Sequence, residues 1–155
     1  MARNHWVHTT SVEIAGAVAS FKTILQQVAP AGIIEVLQQV AISFDGIVNT
    51  GEPVQWQLIR QTTAGTGGVA RAPLKTKDTS TVLQLSGQEG PAGAWGVEPT
   101  ATDIMAFGHV HPQAGLWITL PLPDGEVEIA GGGRLGFRIN VPAAVNCLCT
   151  INGEE

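Results

Sequence analysis

Ile33-Ile34-Glu35-Val36-Leu37-Gln38-Gln39-Val40-Ala41-Ile42-Ser43-Phe44, closed by Asp45-Gly46, is the stretch whose reading decides the fold class. It is long, rich in β-branched and apolar residues, and ends on an Asp-Gly turn signal. Ala29, Ala31 and Gly32 before it are weak formers of any element. From Ile33 onward the same grammar repeats: apolar runs cut by Gly, Pro and Asn turns at intervals of roughly ten residues, the spacing of an all-β sandwich or barrel.

Working outward, Val54 to Gln61 alternates, with Val54, Trp56, Leu58 and Arg60 on one face. Three of those four are apolar or aromatic, which makes that face the expected inner one. Arg71 to Gly96 reads as a long irregular segment with a short strand at Thr81 to Leu85. Loops of that length are often functional or interface-forming. Ile104 to His109 and Leu116 to Leu120 read as strands joined through His111-Pro112-Gln113-Ala114-Gly115; Pro121 and Pro123 break the second. Asp124-Gly125 turns into Glu126 to Ile129, and Gly131-Gly132-Gly133 turns into Arg134 to Val141. There Leu135, Phe137 and Ile139 share a face. Val145 to Ile151 is the last strand. Phe21 to Val28 fits either a strand or a helix by spacing, with a strand preferred. Eight or nine strands and no clear helix predict an all-β, jelly-roll-like β-sandwich or barrel.

The first nineteen residues differ. Arg3, His5, Trp6, His8 and Thr9 form a polar, aromatic-punctuated lead, followed by the small-residue stretch Val12 to Ala19. The expected organisation is an extended N-terminal arm at 1–19 and a sandwich domain at 20–155. Trp6 is costly to leave in water, so an arm carrying it would dock on a neighbouring surface. Arg3, His5, Trp6, Val12 and Ile14 are the candidate partner-binding residues. Deleting 1–19 is expected to leave a folded β protein.

Bulk composition narrows the function. The chain has 155 residues, one domain's worth, of which 14% are charged and 44% hydrophobic. Such low charge leaves much neutral surface, some of it suited to cover by partners. Net charge is −5, from 8 Lys and Arg against 13 Asp and Glu, with no basic stripe for nucleic acid. No apolar stretch reaches the 18 residues a membrane helix needs, and Met1 to Trp6 has no signal-peptide core. The expectation is a protein made in a cytoplasm.

Chemistry-bearing residues are sparse. Cys147 and Cys149 lie two apart on a strand, on one face but about 7 Å apart, beyond easy disulfide reach. They read as buried thiols, with a metal or redox pair as the alternative. His109 and His111 share a strand face and could share a metal in a cupin-like enzyme, yet the remaining histidines, His5 and His8, lie in the arm. No Gly-x-Ser-x-Gly occurs, and the loop Thr62 to Gly68 lacks a P-loop ending. Glu126 and Glu128 read as a solvated face, and Glu154-Glu155 as a charged terminus only. Glu35, inside an apolar run, either faces out or needs a partner, be it Arg60, Arg134 or Arg138 of its own chain or a group across a subunit boundary. The expectation is no enzyme, no catalytic set, no metal and no cofactor.

Several motifs together carry a resemblance. They are Ile34-Glu35-Val36 with Ser43-Phe44-Asp45-Gly46; Leu58 to Gly67; Glu98-Pro99-Thr100; Gly131 to Ile139; Pro142-Ala143-Ala144-Val145-Asn146; and the Glu154-Glu155 ending. Over Phe21 to Glu155 the chain resembles a family of small structural proteins of tailed bacteriophages, most of all a capsid cement, or head-decoration, protein of a siphophage, with a cyanobacterium as the suggested host. The resemblance implies a virion protein on the capsid surface. It would be a homotrimer, seated at local three-fold positions on the major capsid protein, with a β-sandwich body and a lacing N-terminal arm. It makes Phe21 to Val28 a strand. Two other classes stay open: a tail or fibre module that binds a host receptor, and the cupin-like metalloenzyme.

Overall fold

A computed structural model of the chain describes residues 4–45, 51–77, 81–120 and 127–155. Arg3, Gly46, Pro121, Pro123, Asp124-Gly125 and Glu126, all singled out in the sequence, lie outside the described residues. In chain order the strands are β1 (His5–Thr9), β2 (Ile14–Ala15), β3 (Lys22–Val28), β4 (Glu35–Phe44), β5 (Val54–Gln61), β6 (Val69–Ala70) and β7 (Leu74–Lys75). There follow β8 (Ser86–Glu89), β9 (Ala101–Val110), β10 (Leu116–Thr119), β11 (Val127–Ile129), β12 (Arg134–Asn140) and β13 (Asn146–Glu154). The fold is all-β. One sheet runs β10-β4-β13-β1-β7, with β11 also on β4 and β2 also on β13; the other runs β6-β8-β3-β12-β5-β9. Every strand pair is antiparallel.

The core lies between the sheets and follows the period-two rule. On β12, Leu135, Phe137 and Ile139 are fully buried, as their alternation predicts. Phe137 stacks on Trp56 with centroids 6.1 Å apart. On β13, Cys147, Cys149 and Ile151 share the inner row. Gly153 continues that strand beyond a register shift, and a Cβ there would sit 1.9 Å from the Val36 carbonyl and 2.8 Å from the Trp6 ring. Glycine is required by that approach, and the room it leaves is what lets the indole lie flat across β13.

The N-terminal segment is not a separate arm within the folded chain. β1 pairs along β13 from His5↔Glu154 to Thr9↔Thr150, and on its other side meets β7. Trp6 and Ile14 are fully buried in this chain's own core. The physical reason is the alternation Trp6, His8 inward and His5, Val7, Thr9 outward, a strand period that the polar composition of the lead obscured.

Two other expectations change. Arg60 is exposed, whereas Ile59 and Gln61 are buried. The β5–β9 ladder shifts register between Leu58 and Ile59 and again between Arg60 and Gln61. In addition, the outer face of the six-stranded sheet is roofed. Thr62 N–H donates to Thr100 O, Gln26 donates to Thr63 O, and the Trp95 indole donates to Thr23 O at 2.9 Å. Under that roof Gln61 accepts from Gln26 at 2.6 Å and donates to Thr23 Oγ1 at 3.1 Å. The short strand of the long segment is Ser86–Glu89, not Thr81 to Leu85. The Glu155 carboxylate takes the backbone N–H groups of Gln84 and Leu85 that a ladder would have used.

Candidate functional site

Of the arm candidates among the described residues, Trp6 and Ile14 point inward, while Val12, 56% exposed, and half-buried His5 reach the surface. His5 Nδ1 lies 3.4 Å from the Glu154 carboxylate, and its Nε2 lies 3.0 Å from Lys77 Nζ. The terminal glutamates are therefore structural anchors and not merely a charged end. Glu155 also accepts from Asn4 Nδ2 at 2.9 Å, and Glu154 from Gln38 Nε2 at 2.9 Å.

The candidate chemistry is scattered. His109 is exposed on β9; His111, in the turn beyond it, accepts from the Gln113 backbone N–H at 3.2 Å. Among the described residues no three His, Cys, Asp or Glu side chains gather as a metal site would require. Cys147 and Cys149 are buried and unbridged. Burial pushes the Cys147 thiol up to about 12 and Cys149 well above its usual range, so neither offers a thiolate near neutral pH.

Glu35 faces inward with no exposed surface, and neither carboxylate oxygen has a hydrogen-bond partner. None of the expected arginine pairings forms. Arg60 donates to Glu128 O at 3.3 Å, and Arg138 donates to Gln57 at 2.8 Å while lying over the Phe21 ring. Burial, helped by the Glu155 charge, raises the Glu35 carboxyl to about 8. His8 shows the mirror case: both ring nitrogens are buried without partners, and burial lowers it to about 4. Sequence spacing could flag Glu35 but not His8, whose inward direction depends on the β1 register. Lys22 was also missed. Its Nζ donates to the carbonyls of Ala15 and Pro91 at 2.7 and 2.8 Å, tying the segment before β3 to the roof loop.

Exposed large apolar side chains are spread over the surface, and two terminal strands carry three of them. β9 is ten residues long and the terminal strand of its sheet, paired among the described residues only with β5. It leaves Ile104 and Phe107 52% and 69% exposed. β10, which follows it, is the terminal strand of the other sheet and holds Trp117 71% exposed. Asp103 is the only carboxylate along β9, and it holds no lysine or proline. Natural sheets usually blunt such edges with charge, proline or a bulge. Here two register shifts bend the edge near Leu58 to Gln61, leaving Ala106 to Val110 as an unblunted run. This edge is the candidate interaction site.

Comparison of the chain with protein-family models, with curated proteins and with solved structures finds no match.

Proposed function

We propose that this chain is a non-enzymatic capsid cement, or decoration, protein that binds the outer head surface of a tailed bacteriophage as a homotrimer and stabilises the shell. The observation that carries the assembly part is the uncovered β9 edge, with Ile104 and Phe107 in water and only Asp103 charged. An apolar edge of that length is a template for another chain, and in a working protein such a surface is covered. The kind of assembly rests on the resemblance of the sequence motifs to those of phage head proteins.

The energetics suit the role. A protein that bridges shell subunits adds binding free energy only to the assembled state. Presenting three copies of one weak contact multiplies it through effective concentration. Three-fold symmetry on both sides repeats every contact. A jelly-roll connection of the two sheets belongs to this reading. Lacing by the N-terminal residues also belongs to it, in a restricted form: Val12 and Val18, 56% and 54% exposed, remain for a neighbour, while Trp6 and Ile14 are already committed to this chain's core.

The test is the copy number of this protein against the major capsid protein, by quantitative mass spectrometry of purified virions, with light scattering of the isolated protein. Hundreds of copies per particle and a trimeric mass are the expected results. A handful of copies would replace cement with a tail or single-vertex component, and absence from the particle would remove both.

A further inference from the structure

The outer face of the seven-stranded sheet is organised differently from the β9 edge. Register aligns Trp117, Ala41, Thr150 and Thr9 in one row across four strands. The neighbouring row holds Thr119, Gln39, Asn152 and Val7, with exposed Leu74 beyond Val7. These side chains point outward, because their alternates Ile42, Cys149 and Ile151 are in the core. Among the described residues neither row carries a charge; Asp45 lies beyond Ser43 at one end, and at the other are the His5–Glu154 pair with Lys77 and, against the Thr9 carbonyl, the Arg71 guanidinium.

The polar groups of the second row are held in place. Asn152 Nδ2 donates to Gln39 Oε1 at 2.5 Å, and Gln39 Nε2 donates to Thr119 Oγ1 at 3.4 Å. Each amide keeps a second N–H beyond the one used in this chain of bonds. Beside Trp117 lies an open cleft of about 590 Å³, lined by Ala41, Ser43, Leu148 and Thr150, with the Gln39 and Asn152 amides outside it.

We infer that this face is a binding site for a neutral oligosaccharide, with Trp117 stacking on a sugar ring and the Gln39–Asn152 amides bonding its hydroxyls. Charge selects the ligand class. A nucleic acid, a phosphate or an anionic lipid would find cations only at the β1 edge, at Arg71 and Lys77, and none beside Trp117 or the two amides among the described residues. A purely apolar partner would cover the two amides and leave their remaining donors unpaired, which is costly. A neutral sugar offers a C–H face to the indole and hydroxyls to the amides, so both parts of the surface are satisfied at once.

The chain carries its own reporter. Trp6, Trp56 and Trp95 are 0, 6 and 8% exposed, so acrylamide reaches chiefly Trp117. The intact protein is titrated with neutral hexasaccharides of glucose, mannose, galactose and N-acetylglucosamine, read by acrylamide quenching and by calorimetry. At least one hexasaccharide is expected to protect Trp117 and release heat. Trp117→Ala should abolish the calorimetric signal, and Gln39→Ala should weaken it roughly tenfold, the worth of one lost hydrogen bond of about 1.4 kcal/mol. Val97→Ala, exposed on the roof of the other sheet, should leave it unchanged. The inference is overturned if no hexasaccharide binds, if binding survives Trp117→Ala, or if Trp117 is already shielded without sugar in a concentration-dependent way, which would assign the face to a second copy. Virion copy number is indifferent to each of these outcomes, so glycan binding and shell binding stand or fall separately.

Discussion

β1 and β9 are both strands with an aromatic residue near the middle of a weakly charged run, and they have opposite fates. β1 is five residues long and paired on both sides, by β13 and β7; its Trp6 has no exposed surface. β9 is twice as long, paired on one side only, and leaves Phe107 69% exposed. Composition does not separate them. Position in the sheet does, because an inner strand has its backbone groups and inward side chains satisfied within the chain, whereas a terminal strand leaves one row of N–H and C=O groups to be satisfied by something else. The segment that looked available for partners is built into a sheet, and the one that read as an ordinary hairpin strand has one open side among the described residues.

The largest expected effect breaks the first half of that contrast. Removal of residues 1–19 takes β1 from between β13 and β7 and strips Trp6 and Ile14 from the core. Loss of cooperative thermal unfolding is expected, seen by circular dichroism. Trp6→Ala alone should cost about 3–5 kcal/mol in denaturant unfolding. A truncated chain that unfolded as cooperatively as the full one would restore the view of 1–19 as a detachable arm.

β1 and the start of β4 also bring two unpartnered titratable groups inside, and these give a signed pH dependence. Glu35 rises from 4.5 to about 8 on folding, so the folded chain holds a proton that the unfolded chain has released. Its contribution to stability is fully present below about 4.5 and is lost as pH rises to about 8. His8 falls from 6.5 to about 4, so its contribution is present above about 6.5 and is lost as pH falls toward 4. Stability should thus decline on both sides of mildly acidic pH. Glu35→Gln should flatten the alkaline limb, stabilising the protein at pH 8 relative to wild type by an amount on the order of a few kcal/mol. Urea midpoints measured across that range check it. An unchanged alkaline limb would mean that Glu35 finds a partner in solution.

A smaller effect is expected under the roof of the other sheet. Gln61 joins Gln26 to Thr23, all three fully or nearly buried. Gln61→Ala takes the partner from the buried Thr23 hydroxyl and leaves Gln26 bonded to Thr63 O alone, and should cost about 1–3 kcal/mol in urea unfolding. A neutral result would indicate that water takes the vacated place.

Most of the fold was legible because it rests on alternation. Leu135, Phe137 and Ile139 on β12, and Cys147 with Cys149 on β13, fall inward as period two requires. Legibility failed where the decisive partner is distant in sequence. The Thr81 to Leu85 strand gives way to Ser86–Glu89 because Glu155, some seventy residues on, takes the donors of Gln84 and Leu85. The outward-looking polar face of β5 is buried because residues 62–63 and 95–100 fold over it. His8 could not be distinguished from a surface histidine without the β1–β13 register. The candidate site was the least legible, since no local signal distinguishes an edge strand from an inner one; that is settled by the strand order of the whole sheet.

The smallest expected effect on stability sharpens the second half of the contrast. Ile104 and Phe107 are already in water, so Ile104→Lys and Phe107→Lys remove little from the folded monomer; shifts within about 0.5 kcal/mol are expected for the monomer. Their effect should fall on association. Lysine places a hydrated charge beside the open row of backbone groups, the device by which natural edge strands refuse a partner. Light scattering of each variant should show a shift from trimer toward monomer at concentrations where the unaltered chain is assembled, with the monomer's circular dichroism unchanged. If both variants stay trimeric, β9 is not the subunit edge. Retention of the trimer together with loss of binding to isolated heads would instead reserve the same edge for the capsid protein. The pair of readouts thus separates the two ways an uncovered strand can be used, which the edge's chemistry by itself leaves equal.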